Sequence, residues 1–336
     1  MLFRSLEFRG EAFEDRFLIA DVKMTAPFPT ERWFWFDPPF HSGQSALLHK
    51  QPDDIWRIDL QLGPDADPEH EKQPEIVRPR IERMLGHADF ALEWVSVYRF
   101  QCRRLDRFLH GRVIFAGDAA HQVSPFGARG ANSGIQDADN LGWKLALVTQ
   151  GRSPASLLDS YDSERVAAAD ENILNSTRAT DFIAPRSPGE RLLREAALSL
   201  APLTGFAKRF VNSGRLSLPS AYTGSTLSSD DESWDRGLQP GAPFLDAPLA
   251  AATHTWLSEA FSVGQAILLG EDATKLAPAG VLAIEPTAVD DTLRQRYALE
   301  HGAAVLLRPD GHVAARFRQP LRAEVEAAIE RMEGRG

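Results

Sequence analysis

A single cysteine, Cys102, stands in a chain of 336 residues. One thiol excludes an intramolecular disulfide, and no Cys/His grouping has the spacing of zinc ligands, so no metal site is expected. Long apolar runs are missing too: no stretch approaches the roughly 20 apolar residues of a membrane span. Residues 1–10, MLFRSLEFRG, lack the apolar core and small-residue cleavage site of an export signal. These absences predict a soluble, cytoplasmic protein with no membrane partner. An excess of positive charge is also lacking, because 37 Lys and Arg against 47 Asp and Glu leave a net charge of −10. With the basic residues dispersed there is no footprint for a polyanion, and nucleic acid is excluded as a partner.

The composition, 43% hydrophobic and 25% charged, is that of an ordinary globular protein. A length of 336 residues exceeds the roughly 250–300 at which one core stops growing, so more than one domain is expected. The patterns divide the chain at 105, 212 and 240. Within 1–105, period two prevails from about 15 to 100: Trp56–Leu62 alternates apolar and polar throughout, and Arg32–Phe36 and Glu93–Phe100 are rich in strand formers, which predicts one antiparallel sheet. Val77, Ile81 and Leu85, four apart and ahead of Gly86, predict a short helix in its midst. Over 106–212, a helix follows residue 132 with Ile135, Ala138, Leu141, Leu145 and Val148 as its apolar stripe, a Ser133/Gln136 capping box at its start and Gly151 as its stop. A second long helix begins at Ser153-Pro154 and runs towards Pro185. Residues 213–240, dense in Ser, Gly, Asp and Pro, read as a linker. Over 241–336, the apolar runs 266–269, 281–284 and 304–307, the turn Arg308-Pro-Asp-Gly311, a strand 312–317 and a helix 320–332 predict a small α/β domain.

The most informative stretch is GRVIFAGDAAH over 111–121, followed by PFGARGAN over 125–132. It predicts a buried strand, Val113–Ala116, ending in Gly117 and Asp118, then a loop punctuated by Pro125, Gly127 and Gly130 that opens a helix at Ala131 and Asn132. A helix start presents unpaired N–H groups and a positive dipole end, and glycines let a flat ligand approach the backbone. Reduction of a flavin places negative charge on the pyrimidine edge of its ring, which such a point stabilises. Asp118 stands where it can accept hydrogen bonds from ribityl hydroxyls.

At these residues the chain resembles the FAD-dependent aromatic hydroxylases, the single-component flavoprotein monooxygenases that include phenol hydroxylase and 3-(3-hydroxyphenyl)propionate hydroxylase. The resemblance is carried by Gly117-Asp-Ala-Ala-His121, by Pro125-x-Gly-x-x-Gly-x-Asn132 and by Asp137-Ala-Asp-Asn-Leu-Gly-Trp-Lys144. It implies a mixed α/β fold: the C-terminal part of an FAD-binding flavoprotein hydroxylase, with an antiparallel substrate-domain sheet over 1–105 and a thioredoxin-like domain over 241–336 that carries no Cys-x-x-Cys. It implies FAD held by Gly117, Asp118, Pro125, Gly127, Gly130, Ala131 and Asn132. It further implies NAD(P)H as reductant, O2 as cosubstrate and a small phenolic substrate that receives one oxygen atom.

No Gly-x-Gly-x-x-Gly turn occurs in the chain, although the family binds its pyrophosphate there. The expectation is a truncated chain that keeps the flavin-ring side of the site, with a second chain supplying the dinucleotide-binding half, or a homodimer, as candidate partners. Two other functions stay open: a related flavoprotein acting on quinone or isoprenoid substrates, and a non-catalytic remnant serving as an interaction module. No catalytic residue is singled out. His121 among small apolar neighbours reads as a packed side chain, and Cys102 as an inert one. Arg129 is balanced between an anion contact and no partner. Trp33/Trp35 and Phe34/Phe36 alternate on a strand, so one pair can line an aromatic cavity while the other packs into core.

Overall fold

The computed structural model describes residues 6–211, 218–229, 236–250, 255–261, 264–287 and 290–336. In chain order its elements are β1 (Phe8–Lys23), β2 (Arg32–Trp35), β3 (Ala46–Lys50), β4 (Ile55–Leu62), α1 (Pro68–Glu71), α2 (Pro74–Leu85), β5 (Ala91–Leu105), β6 (Leu109–His110), β7 (Val113–Ile114) and β8 (His121–Gln122). The helices α3 (Gly130–Thr149), α4 (Asp159–Ile183), α5 (Pro188–Leu200) and α6 (Gly205–Val211) follow. The C-terminal part holds β9 (Ile267–Gly270), α7 (Ala273–Leu276), β10 (Leu282–Ile284), α8 (Asp291–Tyr297), β11 (Ala304–Leu307), β12 (Val313–Phe317) and α9 (Arg322–Met332). Two compact units result, one within Met1–Arg104, Gln122–Gly130 and Ile173–Leu216, the other within Leu105–His121, Ala131–Asn172 and Ser217–Gly336. Of the expected 213–240 linker, residues 213–217 and 230–235 lie outside the described residues. No helix among the described residues is long and apolar enough to cross a membrane.

The first unit is built on a sheet of order β2-β3-β4-β1-β5-β8, with β2/β3, β3/β4 and β4/β1 antiparallel. Alternation decides its two faces. Trp56, Ile58, Leu60 and Leu62 of β4 join Leu18, Ala20 and Val22 of β1 and Ala46 and Leu48 of β3 in one core, which α2 covers with Val77 and Ile81. Each fully buried side chain of this size contributes about 1.5–3 kcal/mol. Trp33 and Trp35 turn to this side, where Trp35 packs on Phe40 and Trp33 on Phe28. The opposite face carries Phe34, Leu47, Asp59 and Ile19 in one cross-strand row, and Arg32, His49, Arg57 and Asp21 in the next. The helix α2 runs through Pro79 and stops at Gly86, whose φ of +78° only glycine adopts freely.

The second unit holds a four-stranded sheet, β10-β9-β11-β12, parallel at β9/β10 and antiparallel elsewhere. Both faces are buried. Leu268, Ala304 and Leu306 pack on one side with Val325, Ala328 and Ile329 of α9 and with Trp143 and Leu147 of α3. Ile267, Leu269, Val305 and Leu307 pack on the other with Leu293 and Tyr297 of α8. Every strand and helix expected over 266–332 is present, and Gly311 N–H donating to the Arg308 carbonyl at 2.9 Å closes the expected turn.

Candidate functional site

The predicted strand at 113–116 is shorter and more open than its sequence suggested. Only Val113–Ile114 pairs as a strand, with Leu109–His110 in a two-stranded ribbon, and Val113 is 36% exposed. The chain then enters a single 3-10 turn, Gly117–Ala119, with Gly117 at φ +57°. Three donors converge on the buried carboxylate that fixes this turn. Asp137 accepts from Gly117 N–H at 2.8 Å, from His121 Nε2 at 2.7 Å and from Arg165 Nε at 2.6 Å. Arg165 continues to the Tyr222 hydroxyl at 3.0 Å and to the Ser133 carbonyl at 3.2 Å. Burial alone would push the Asp137 carboxyl up; the His121 hydrogen bond and the Arg165 charge outweigh it and hold it below the usual range. His121 is thus the packed side chain anticipated, 2% exposed. The turn's own carboxylate, Asp118, is exposed and makes no hydrogen bond or ion pair among the described residues.

Further along, Ala128 N–H donates to the Pro125 carbonyl at 3.1 Å, closing a β-turn with Gly127 in the third position at φ +100°. Ala128 itself adopts φ +53°, a conformation that costs a side-chain-bearing residue about 1 kcal/mol or more. Arg129 is 3% exposed, and a Cβ at Gly127 would come within 3.1 Å of its Nε. The open question over Arg129 is answered by burial: its side chain folds back on the loop. α3 begins at Gly130, with Ala131 and Asn132 exposed at its first turn.

The orientation of α3 departs from the expectation. Its buried residues include a polar row, Ser133, Asp137, Asn140 and Lys144, beside Trp143 and Leu147, whereas Ile135 is 67% and Leu145 37% exposed. Ser133 is no cap either; its hydroxyl accepts from Arg165 and from Asn172. The polar stripe tolerates burial because every charge is paired. Glu164 of α4 accepts from Lys144 Nζ at 2.7 Å, from Asn140 Nδ2 at 2.8 Å and from both Arg308 Nη atoms at 2.6 and 2.9 Å. Arg308 also donates through Nε to Asp310 at 3.0 Å. Arg308 thereby holds the Asp310 carboxyl well below its ordinary range. Glu164, too, is driven down by Arg308 and Lys144 against the cost of burial. Hydropathy periodicity passes over such residues; the available signal was the phase of 133, 137, 140 and 144, spaced by three and four.

A cavity of about 1000 Å³ opens within the first unit. Phe34 and Phe36 enter it from β2 and the residue past its end, Phe126 from the Pro125 turn, and Phe182 from α4. Of the two aromatic pairs on that strand, the phenylalanines line the cavity and the tryptophans pack into core. Cys102, 1% exposed, accepts from Ser124 N–H at 3.3 Å, and burial pushes its thiol up, as befits an inert side chain.

These residues fit FAD. A free, exposed carboxylate at Asp118 suits ribityl hydroxyls, which can donate to it. The exposed Ala116, Ala119 and Ala131 leave the backbone approachable, and a helix start supplies amides for an electron-rich ring edge. The buried Asp137 network fixes the turn that presents Asp118, so little ordering is left for ligand binding.

Comparisons with known proteins agree. Residues 4–176 match the family described as FAD binding domain. The 6-methylpretetramide 4-monooxygenase of Streptomyces rimosus is 33% identical over 278 residues, 72% of this chain and 49% of that protein. The 3-(3-hydroxy-phenyl)propionate/3-hydroxycinnamic acid hydroxylase of Escherichia coli O8 is 30% identical over 229 residues, 68% of this chain and 41% of that protein. The crystal structure of the flavin-dependent monooxygenase PieE in complex with FAD and substrate superposes with a TM-score of 0.75 at 22% identity, covering 99% of this chain and 68% of that one, and shows the same fold. The chain spans less than half the length of these two curated relatives.

Proposed function

The chain belongs to the FAD binding domain family, and from that premise we propose that it forms the flavin-ring and substrate part of an FAD-dependent monooxygenase that hydroxylates an aromatic ring with NAD(P)H and O2. The observation that carries this is the Gly117–Asp118 turn, fixed from behind by the buried Asp137, His121 and Arg165 and left with an unengaged carboxylate in front. When bound, FAD would supply the redox chemistry, carrying two electrons from NAD(P)H to O2 so that one oxygen atom goes to the ring and the other leaves as water. The chain's part is to bind and orient. Asp118 accepts hydrogen bonds from ribityl hydroxyls. Pro125, Gly127 and Gly130 keep side chains off the loop, and the amides at Ala131 and Asn132 offer positive potential to the pyrimidine edge. The phenylalanine-lined cavity offers ring faces to an aromatic substrate.

Ile135, Leu145 and Val113 are apolar side chains exposed on the second unit. They support the further reading that polypeptide bearing the dinucleotide-binding half packs on this unit. Purified chain titrated with FAD is expected to quench flavin fluorescence, and Asp118→Ala to weaken binding about tenfold. Co-expression with the Gly-x-Gly-x-x-Gly-bearing half of a hydroxylase relative is expected to tighten binding and to yield a flavin that NADPH bleaches faster in the presence of a phenol. No FAD binding under either condition would return the chain to the class of interaction modules, and a complex of two identical chains would replace the partner half with a homodimer.

A further inference from the structure

We infer that the cavity of the first unit selects a multi-ring aromatic substrate bearing a carboxylate, and that Arg32, Arg178 and Arg209 are the residues that recognise the charge. The inference deepens the hydroxylase reading and rests on it for the word substrate, but the selectivity follows from the first unit alone. Size comes first. About 1000 Å³ lies at the upper end of small-molecule sites, more than one phenol ring can fill. The walls then fix the shape: Phe34–Phe36 and Phe36–Phe182 pack at centroid separations of 4.8 and 5.7 Å, leaving ring faces and edges for a flat ligand.

Charge decides the rest. Among the described residues Arg32, Arg178 and Arg209 line the cavity, no Asp or Glu does, and none of the three guanidinium groups makes a hydrogen bond or an ion pair. Nearby carboxylates do not supply the missing counterion. Asp181 is held by Arg186 at 3.1 Å and Asp21 by Arg57 at 2.8 Å. Asp59, on the same sheet face, lies within the field of Arg32 without reaching it as an ion pair. The arginines come from three elements. Arg32 shares its strand face with Phe34, and Arg178 shares the α4 face of Asn175, Ala179 and Phe182, at helical spacing. Arg209 comes from α6. A guanidinium fork matches a carboxylate in two parallel hydrogen bonds, and three forks around an aromatic slot discriminate by charge as well as by shape.

The test is equilibrium binding to the flavin-free chain, followed by tryptophan fluorescence, with anthracene-2-carboxylate, its neutral carboxamide and benzoate as probes. The expected order is carboxylate about tenfold tighter than carboxamide, with benzoate weaker than both. Arg178→Gln and Arg32→Gln, at exposed positions, are each expected to weaken carboxylate binding about fivefold and leave the carboxamide unchanged. Equal binding of carboxylate and carboxamide, equal loss of both in the variants, tighter binding of benzoate, or no binding of any probe would each overturn the inference. Retained selectivity in a chain that fails to bind FAD would sink the hydroxylase reading and leave the cavity's preference standing. Normal FAD binding with no charge preference would do the reverse.

Discussion

Two sites of partly or wholly buried carboxylate, one in each unit, are treated in opposite ways. In the second unit, Glu164 and Asp310 share four donor contacts from Arg308, and Glu164 takes three more from Lys144, Asn140 and Ser225. In the first unit, Asp59 sits on the cavity side of the sheet with its enclosed Oδ1 lacking any hydrogen-bond partner, and burial pushes its carboxyl up to about 6. His49, in the adjoining row, has an enclosed Nδ1 in the same condition. The lesson is one of division of labour: satisfied charge cements α3, α4 and the Arg308 turn within the second unit, while under-satisfied charge lies on the sheet face that looks towards the cavity.

The sharpest way to break the contrast is to remove the cation. Arg308→Met strands two buried carboxylates and is expected to cost about 3–5 kcal/mol, read as a drop in the urea midpoint. Asp59→Asn is expected to act in the other direction, stabilising by on the order of 1–3 kcal/mol at pH 7.5 by the same measurement. The pH dependences must then differ in sign. A raised carboxyl binds more protons in the folded chain, so the Asp59 contribution worsens as pH rises from about 4 to about 6, and the Asn variant's advantage grows over that window. A lowered carboxyl binds fewer, so what Glu164 and Asp310 contribute is fully present above about pH 4.5 and is lost as pH falls below it. A variant series whose stability differences do not depend on pH would erase the distinction. Gly117→Ala, at φ +57°, is expected to cost about 1–2 kcal/mol. Asp118→Ala, exposed and unpaired, should change stability by no more than about 0.5 kcal/mol, which separates ligand loss from misfolding.

Much of the architecture was legible because it rests on local period and local turns. The β4 alternation, the stops at Gly86 and Gly151, the strands β9 to β12 and the split between Phe34/Phe36 and Trp33/Trp35 all follow from side-chain spacing. The turn at Gly117 and the β-turn after Pro125 were legible from their glycines. The burial of α3 was not. Ile135 and Leu145 announce a core-facing stripe, yet the helix turns Asp137, Asn140 and Lys144 inward, because their partners stand elsewhere: Arg165 is 28 residues from Asp137, and Arg308 is 144 residues from Glu164. Desolvation is tolerable only once such remote partners arrive, and no periodicity within one helix reports them. The three cavity arginines escaped notice for the same reason, since nothing local distinguishes them from surface charge.

Ala128 carries one last implication. Glycine at a left-handed position would relieve the backbone by about 1 kcal/mol, yet alanine occupies it between Gly127 and the buried Arg129. A methyl group there narrows the set of shapes open to the loop before any partner arrives. The connection into α3 is therefore a preset bracket instead of a pliable strap, and Ala128→Gly should give a sturdier fold with a slacker grip.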